Sequence, residues 1–187
     1  MPRKTAIYSG SFNPLHIGHL AIIKYMIEEA GFDMVYLIVS PKNPLKDGIS
    51  SSTGTDRYKA AIEAVNRHFQ ERVLVDDIEL TMPEPHYTIR TLDALKEREP
   101  ENEFTFVMGA DNLADIRRWR DYTRILKEYG SAVYPRIGFD LDKIKQDLLE
   151  EDPAYRIQIL NAGMVDISST EIRNILANGG DASELLM

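Results

Sequence analysis

Residues 9–20 read Ser-Gly-Ser-Phe-Asn-Pro-Leu-His-Ile-Gly-His-Leu and join a short apolar run to an amphipathic pattern. Gly10 permits a turn without a Cβ penalty, and Pro14 stops the preceding strand from continuing. Apolar positions at helical spacing then predict a helix over 17–30. The turn therefore opens onto a helix N-terminus, whose unpaired N–H groups and partial positive charge favour a bound phosphate.

Two histidines stand at the start of this predicted helix. His16 and His19 are three residues apart, so they should project from one face of its first turn, with Gly18 keeping the backbone accessible between them. A single histidine in such a turn is more often a structural residue. A pair at helical spacing beside glycines instead favours a phosphate-binding site.

The composition predicts one globular domain over residues 1–187, since 43% of the chain is apolar and 28% is charged. No apolar run approaches the roughly 18 residues that span a bilayer, and Met-Pro-Arg-Lys leads at once into a strand, without room for a signal peptide. We therefore expect a cytoplasmic protein with no membrane partner. The chain has no cysteine, which excludes disulfides, thiolate catalysis and cysteine-based metal sites.

The net charge of −8 argues against binding to nucleic acid or to an anionic membrane surface, because both require a basic face. A small polyanionic substrate would need only a local cluster of cations. The candidates for that cluster are Lys42, Lys46, Arg57, Arg136 and Arg173. The sequence leaves the oligomeric state open, and a homo-oligomer is compatible with it.

Apolar runs and amphipathic windows alternate along the chain. The predicted strands are 5–9, 34–40, 72–75, 103–108, 131–134 and 156–160. The predicted helices are 17–30, 55–69, 88–98, 114–129, 140–150 and 169–178. This alternation predicts an α/β fold with a mostly parallel sheet covered by helices on both faces. The segments 41–55 and 80–86 are predicted loops, because they are rich in turn-forming residues.

Polar segments follow four of the predicted strands. They are the histidine turn, Ser-Pro-Lys-Asn-Pro-Leu-Lys (40–46), Gly-Ala-Asp-Asn (109–112) and Ile-Ser-Ser-Thr-Glu-Ile-Arg (167–173). Ligands of open α/β sheets bind outside the carboxyl ends of the strands. The four segments should therefore meet at one edge of the sheet and form a site.

The last of these segments has two interpretations. Ser168 with Glu171 three residues later is a capping-box pattern, which needs no ligand. Ser168, Ser169 and Thr170 at a helix start, with Arg173 on the next turn, also offer hydroxyl donors and a cation to terminal phosphates. The spacing alone leaves both interpretations open.

These motifs resemble those of a known family. His-Ile-Gly-His (16–19) resembles the HxGH signature of the nucleotidyltransferase superfamily, and Gly-Ser-Phe-Asn-Pro before it resembles nicotinate mononucleotide adenylyltransferases. The segment 167–173 resembles the ISSTxIR signature of the same family. The segments 86–92 and 104–113 are similar to its (S/T)YTxxTL and strand-plus-GADN segments, so the resemblance extends from Gly10 to Arg173.

The resemblance implies a Rossmann-like three-layer fold and an enzyme that joins ATP to nicotinate mononucleotide with Mg²⁺. The implied catalytic residues are His16, His19 and Arg173. The implied ATP-binding residues are Gly10, Ser11, Phe12, His16, His19, Gly109, Asp111, Ile167, Ser168, Ser169, Thr170 and Arg173. The implied mononucleotide-binding residues are Asn13, Lys46, Thr88, Thr91 and Trp119, whose indole would stack on the pyridine ring. No protein ligand is assigned to the metal.

Three departures from the family pattern fall on the substrate pocket. Asn-Pro-Leu-Lys (43–46) stands where many relatives have Pro-Pro-His-Lys or Pro-Pro-His-Arg. Arg120 follows Trp119 where some relatives carry a second aromatic residue, and Pro-Arg-Ile-Gly (135–138) replaces Arg-Pro-Gly. Structural alternatives also stay open at two positions: Trp119 as a half-buried helix residue, and Asp111 as a helix cap or turn residue.

Other functions fit the sequence less well. A pantetheine phosphate adenylyltransferase should be shorter and have Asp in place of Asn13. A class I aminoacyl-tRNA synthetase shares the His-Ile-Gly-His spelling, but 187 residues leave no room for its further domains. The non-catalytic alternative is a nucleotide-sensing module that binds ATP without turnover.

Overall fold

The computed structural model describes residues 2–41, 53–69, 71–163 and 167–187. In these ranges six parallel strands form one sheet in the order β3-β2-β1-β4-β5-β6. The strands are β1 Lys4–Gly10, β2 Met34–Val39, β3 Val73–Asp76, β4 Glu103–Gly109, β5 Ser131–Tyr134 and β6 Ile157–Ile159. All six predicted strands are therefore confirmed to within a few residues.

Helices connect the strands. They are α1 Ile17–Glu28, α2 Gly54–His68, α3 Ile78–Thr81, α4 Thr88–Arg98, α5 Ala110–Ala114, α6 Tyr122–Arg124, α7 Leu141–Glu151 and α8 Ser169–Ala177. Shorter elements are 3₁₀ turns at Ile116–Arg118 and Ser183–Leu185 and a π-helical turn at Ile125–Tyr129. Within the described ranges, no helix is both long and apolar enough to cross a membrane.

The sheet has an apolar core on each face. Met26 of α1 and Ala61 of α2 belong to one core, and Leu92 of α4 and Leu148 of α7 belong to the other. The interior strand β2 reads Met-Val-Tyr-Leu-Ile-Val and is almost entirely buried, as expected for a parallel strand covered on both sides. The predicted three-layer α/β fold with a parallel sheet is confirmed.

One predicted helix is wrong. The window 114–129 is broken into short pieces, because Trp119 has extended backbone angles and Asp121 has a left-handed φ of 51°. The apolar spacing of the window still serves packing, since Ile116 and Ile125 are fully buried from two separate turns. The predicted loop 80–86 likewise begins inside α3, and most of the predicted loop 41–55 lies outside the described residues.

In the sheet β1 and β4 are neighbours. The chain leaves β1 toward β2 on one side of the β1–β4 boundary, and it leaves β4 toward β5 on the other side. Such a boundary opens a crevice at the carboxyl ends of the strands. The histidine turn follows β1 there, and Gly109 ends β4 beside it. The fold therefore brings the polar segments of the first and fourth strands together.

Candidate active site

His16 and His19 cap the helix that carries them. His16 is the N-cap of α1 and is only 5% exposed. Its Nδ1 accepts a hydrogen bond from the N–H of Gly18 at 3.2 Å, and the Nδ1 of His19 accepts one from the N–H of His16 at 3.2 Å. The ring centroids are 3.8 Å apart. The two histidines thus form a reciprocal capping box, a role usually filled by a hydroxyl and a carboxylate.

This bonding pattern determines the tautomer of both rings. Because each Nδ1 accepts a bond from a main-chain N–H, each neutral imidazole carries its proton on Nε2. Burial, with the nearby Arg136 cation, lowers the pKa of His16 to about 4. Burial, His16 and Arg136 also lower the pKa of His19 well below its usual value. Near neutral pH the pair therefore offers two uncharged Nε2–H donors.

Gly18 is required by a close approach. A Cβ at this position would lie 3.0 Å from the ring of His16 and 3.3 Å from Cγ2 of Ile167. Ile167 immediately precedes the N-cap of α8, so the start of α8 packs against the first turn of α1. The predicted meeting of the two signature segments is therefore present in the fold.

The capping-box interpretation of the start of α8 is confirmed. The hydroxyl of Ser168 accepts from the N–H of Glu171 at 3.2 Å and donates to its Oε2 at 2.8 Å. The Oγ of Ser169 donates to the carbonyl of Pro14 at 3.0 Å. The serine side chains thus have structural partners, and any phosphate contact by these two residues would come from their N–H groups or from rearranged hydroxyls.

Arg173 ties α8 to the histidine turn. Its Nη1 donates to the carbonyl of Asn13 at 2.7 Å, and its Nη2 donates to Oγ1 of Thr170 at 2.9 Å. The hydroxyl hydrogen of Thr170 stays available to donate, and the guanidinium is exposed. The N-termini of α1 and α8 and this cation consequently converge on one place.

Arg136 adds a second cation beside the histidines. Together they line a narrow cleft with Gly18 and Ile167. The guanidinium lies 5.1 Å from the ring centroid of Tyr134, and its Nε is 3.8 Å from Oδ1 of Asp111. The cleft therefore combines uncharged N–H donors, helix N-termini and a cation, which is the chemistry of an anion site.

A larger cavity of about 640 Å³ adjoins this cleft, and Tyr8 and Tyr134 line both. Its volume and mixed polar and aromatic walls suit a ligand of nucleotide size. Predicted site residues on its wall are Gly10, Ser11, Thr88, Asp111 and Trp119. The fold thus gathers predicted residues from four separate segments around this cavity.

Trp119 and Asp111 each fit part of their structural alternatives. Trp119 is half-buried, but it ends a 3₁₀ turn in extended conformation and packs edge-on against Phe106 at 5.9 Å between centroids. Asp111 lies in the first turn of α5, where Gly109 is the N-cap residue. A Cβ at Gly109 would collide with Oδ1 of Asp111, so the carboxylate can hold this position only beside a glycine.

Thr88 and Thr91 occupy different depths. Thr88 begins α4 on the cavity wall, and the side chain of the N-cap residue, Tyr87, forms no capping bond to the first N–H groups of this helix. Thr91 is buried, and its hydroxyl donates to Oε1 of Glu79 at 2.8 Å. Glu79 is 4% exposed and lines the wall of the cavity. Thr91 is therefore connected to the cavity by its hydrogen bond to Glu79.

Several wall residues were missed by the sequence analysis. Glu79 follows β3, and Tyr8 and Tyr134 belong to the ends of β1 and β5. The rule that ligands bind beyond the carboxyl ends of strands applies to every strand of a parallel sheet. If this rule is also applied to β3 and β5, it predicts that Glu79, after β3, and Arg136, after β5, belong to the site.

Two predicted residues have positions other than those expected, and two more lie outside the described residues. Lys42 and Lys46, with the 43–46 departure, lie outside the described residues. Arg57 is buried and donates to main-chain carbonyls, so it is not available to the cationic cluster for which the sequence made it a candidate. Phe12 has a φ of 44°, and its buried ring packs edge-on against His19 at 5.2 Å, so only its main chain is available to a ligand.

The parallel α/β fold, the histidine pair at a helix start and the anion-binding cleft define a nucleotidyltransferase. A family model described as cytidylyltransferase-like matches residues 7–175. The chain belongs to this family and, as its full-length relatives show, to the nicotinate-nucleotide adenylyltransferases within it.

Two of these relatives carry the name "Probable nicotinate-nucleotide adenylyltransferase". One, from Flavobacterium johnsoniae, is 37% identical over 98% of this chain and 91% of its own length. Another, from Bacteroides fragilis, is 39% identical over 95% of this chain and 84% of its own length. The resemblance suggested by the signatures is confirmed at the level of the family.

A solved structure shares the fold. The nicotinic acid mononucleotide adenylyltransferase of Plasmodium falciparum, in complex with NaAD, superposes with a TM-score of 0.78 at 21% identity. The match covers 97% of this chain and 88% of that one. The three-layer arrangement is therefore common to both proteins.

Proposed function

We propose that this chain transfers the adenylyl group of ATP to nicotinate mononucleotide, forming nicotinate adenine dinucleotide and pyrophosphate in NAD biosynthesis. One observation carries the proposal. Two neutral imidazoles hold Nε2–H donors at the meeting point of two helix N-termini, and this cleft opens directly into a cavity of about 640 Å³. A phosphate chain and a mononucleotide can therefore occupy neighbouring spaces.

The reaction needs no general base from the protein. The nucleophile is a phosphate monoester, which is mostly dianionic near neutral pH because its second pKa is about 6. Its oxygen attacks the α-phosphorus of ATP, a P–O bond forms, and the bond to pyrophosphate breaks. The protein has to align these groups and stabilise the charge that moves onto the leaving group.

The histidine cleft supplies this stabilisation on the ATP side. His16 and His19 donate as neutral groups, so they contribute hydrogen bonds rather than net charge to the phosphates. Arg136 and Arg173 supply the charge, and a guanidinium suits phosphate because its N–H groups form a planar fork. Asp111, at the wall of the larger cavity, is well placed to accept from a ribose hydroxyl.

Mg²⁺ would accompany ATP rather than occupy a cage of protein ligands. The two histidines do not suit a cation, because both Nδ1 lone pairs are already used by main-chain donors and both Nε2 atoms carry protons. In the part of the chain that the structure describes, no group of three or more His, Asp or Glu side chains could hold a metal. Mg²⁺ commonly binds through substrate phosphates and water, where it neutralises their charge.

The mononucleotide side favours the acid over the amide. Trp119 offers an aromatic face for the pyridine ring, and the N-terminus of α4 at Thr88 offers N–H groups and a partial positive charge. A carboxylate can accept from these donors with both oxygens, whereas a carboxamide presents its own NH₂ group to one of them. Asn13, Lys46 and Thr91 complete the predicted set.

The purified protein tests this function directly. With ATP, Mg²⁺ and nicotinate mononucleotide it should release pyrophosphate and form the dinucleotide, as followed by chromatography of the product. Phosphopantetheine in place of the mononucleotide is the substrate control. Turnover of phosphopantetheine alone would select the other adenylyltransferase, and ATP binding without turnover of either substrate would select the nucleotide-sensing module.

A further inference from the structure

Arg57 of α2 is a buried cation surrounded by main-chain oxygens. Its Nη1 donates to the carbonyls of Ser11 at 2.6 Å and Ser40 at 2.8 Å, and its Nη2 donates to that of Pro41 at 2.9 Å. The side chain is 5% exposed, and no carboxylate of the described residues forms an ion pair with it. A single guanidinium therefore joins the chain beyond β1 to the chain beyond β2.

These bonds begin where the sheet ends. The last pair in the β1–β2 register is Gly10 with Val39, and the N–H of Ser40 donates to the carbonyl of Gly10 at 2.9 Å. Beyond that point no further sheet bond joins the two segments within the described residues, and Arg57 connects them instead. Ser11 and Ser40 both line the larger cavity, so the guanidinium holds two parts of its wall together.

The bond to Ser11 also sets the direction of a peptide group. The carbonyl of Ser11 is held toward α2, so the N–H of Phe12 in the same trans peptide points away from α2. Phe12 has a left-handed φ of 44°, which is unfavourable for a residue with a Cβ. Without Arg57 the peptide would be free to turn, and a carbonyl oxygen facing the cavity would repel an anionic ligand.

We propose that Arg57 is a positioning residue for the mononucleotide, acting through the walls formed by Ser11 and Ser40. The proposal rests on the function proposed above, since it takes the larger cavity as the mononucleotide site. Lysine cannot replace the fork fully, because an ammonium is a point charge whose donors do not match three carbonyls spread over two segments. The family resemblance assigns Ser11 to ATP, but in the structure Ser11 and Ser40 line the larger cavity and not the histidine cleft. We therefore expect a larger effect on mononucleotide binding than on ATP binding.

The chain contains a control arginine at the amino ends of the strands, away from the site. Arg72 precedes β3 and donates to the carbonyls of Asp33 at 3.2 Å, Phe32 at 2.6 Å and Ile27 at 3.1 Å. It therefore joins main-chain segments with the same number of hydrogen bonds as Arg57 does. Its partners lie before β2, far from the carboxyl edge, so its loss should affect stability alone.

The test compares Arg57→Met and Arg57→Lys with Arg72→Met. Dissociation constants for nicotinate mononucleotide and for ATP are measured by calorimetry, and unfolding free energies by urea denaturation. We expect both Met variants to be destabilised, but only the Arg57 variants to bind the mononucleotide about tenfold more weakly, with a smaller change for ATP; tenfold corresponds to the loss of one good hydrogen bond. If Arg57→Met does not fold, Arg57→Lys decides the question.

Mononucleotide binding by the Arg57 variants that equals that of Arg72→Met would overturn the positioning role and leave the proposed function intact. An equal loss of affinity for ATP and for the mononucleotide would also overturn it, because general loosening of the fold would then explain the effect. A failure of the unsubstituted protein to bind the mononucleotide at all would instead contradict the proposed function, and this proposal with it.

Discussion

The main-chain N–H of His16 donates to Nδ1 of His19, and the two imidazole rings lie 3.8 Å apart between their centroids. The bonds that begin α1 are therefore the bonds that fix which ring nitrogens carry protons. Helix capping uses Nδ1 of each ring, and the donation proposed for catalysis would use Nε2 on the opposite edge. A substitution at either position removes both contributions unless the new side chain restores the cap.

Matched substitutions separate these contributions. His16→Asn keeps an N-cap acceptor and His19→Gln keeps the capping-box acceptor, but neither places a donor where Nε2–H lies. We expect kcat to fall by roughly 10²–10³ in both, the scale for one preorganised donor. His16→Ala should lose turnover equally and in addition about 1 kcal/mol of unfolding free energy, because it also removes the cap. Normal turnover in His16→Asn would remove that ring from the mechanism.

The depressed histidine pKa values predict a loss of stability in acid. The pKa of His16 is lowered from 6.5 to about 4 in the folded chain, so the unfolded chain binds its proton first as the pH falls. The contribution of neutral His16 to the unfolding free energy is complete above about pH 6.5 and is lost as the pH falls from there through about 4. His19 acts in the same direction. Urea denaturation at several pH values should show this decline.

The double variant His16→Asn/His19→Gln is the control for this decline, since it lacks both titrating rings. Its unfolding free energy should fall less steeply between pH 6.5 and 4 than that of the unsubstituted protein. Parallel pH profiles of the two proteins would show that other groups, such as carboxylates, cause the acid sensitivity.

Acid and amide mononucleotides should differ in kcat/KM by at least tenfold, or about 1.4 kcal/mol, in favour of the acid. The physical reason is the N-terminus of α4 at Thr88, which offers donors and positive potential to a carboxylate. Initial rates with both substrates under identical conditions measure the ratio. Comparable values would refute the acid preference and leave adenylyl transfer in place.

Trp119→Ala should raise KM for the mononucleotide much more than KM for ATP, because the indole lines the larger cavity and not the histidine cleft. Trp119→Phe is the control, since a phenyl ring retains an aromatic face for stacking. Its KM should stay closer to that of the unsubstituted protein. An unchanged mononucleotide KM in Trp119→Ala would leave Trp119 with only its packing against Phe106.

The site was predictable wherever a motif is local in sequence. His16, Gly18 and His19 lie within one helical turn, so their spacing already implied that the rings meet. The capping box of Ser168 and Glu171 is equally local, and the spacing identified it as one of two interpretations. The same reasoning failed over 114–129, because periodicity records which side chains are apolar and not whether Asp121 leaves the helical region.

The sequence by itself determined the alternation of strands and helices, the parallel sheet and the helix start that carries the histidines, since each depends on neighbours a few residues apart. Only the tertiary structure decided what the cations do. Arg57 and Arg136 are equal as guanidiniums, yet one is enclosed by carbonyls up to 46 residues away in sequence and the other faces the histidine cleft. The role of a charged side chain depends on distance to partners and on burial, which the folded chain sets.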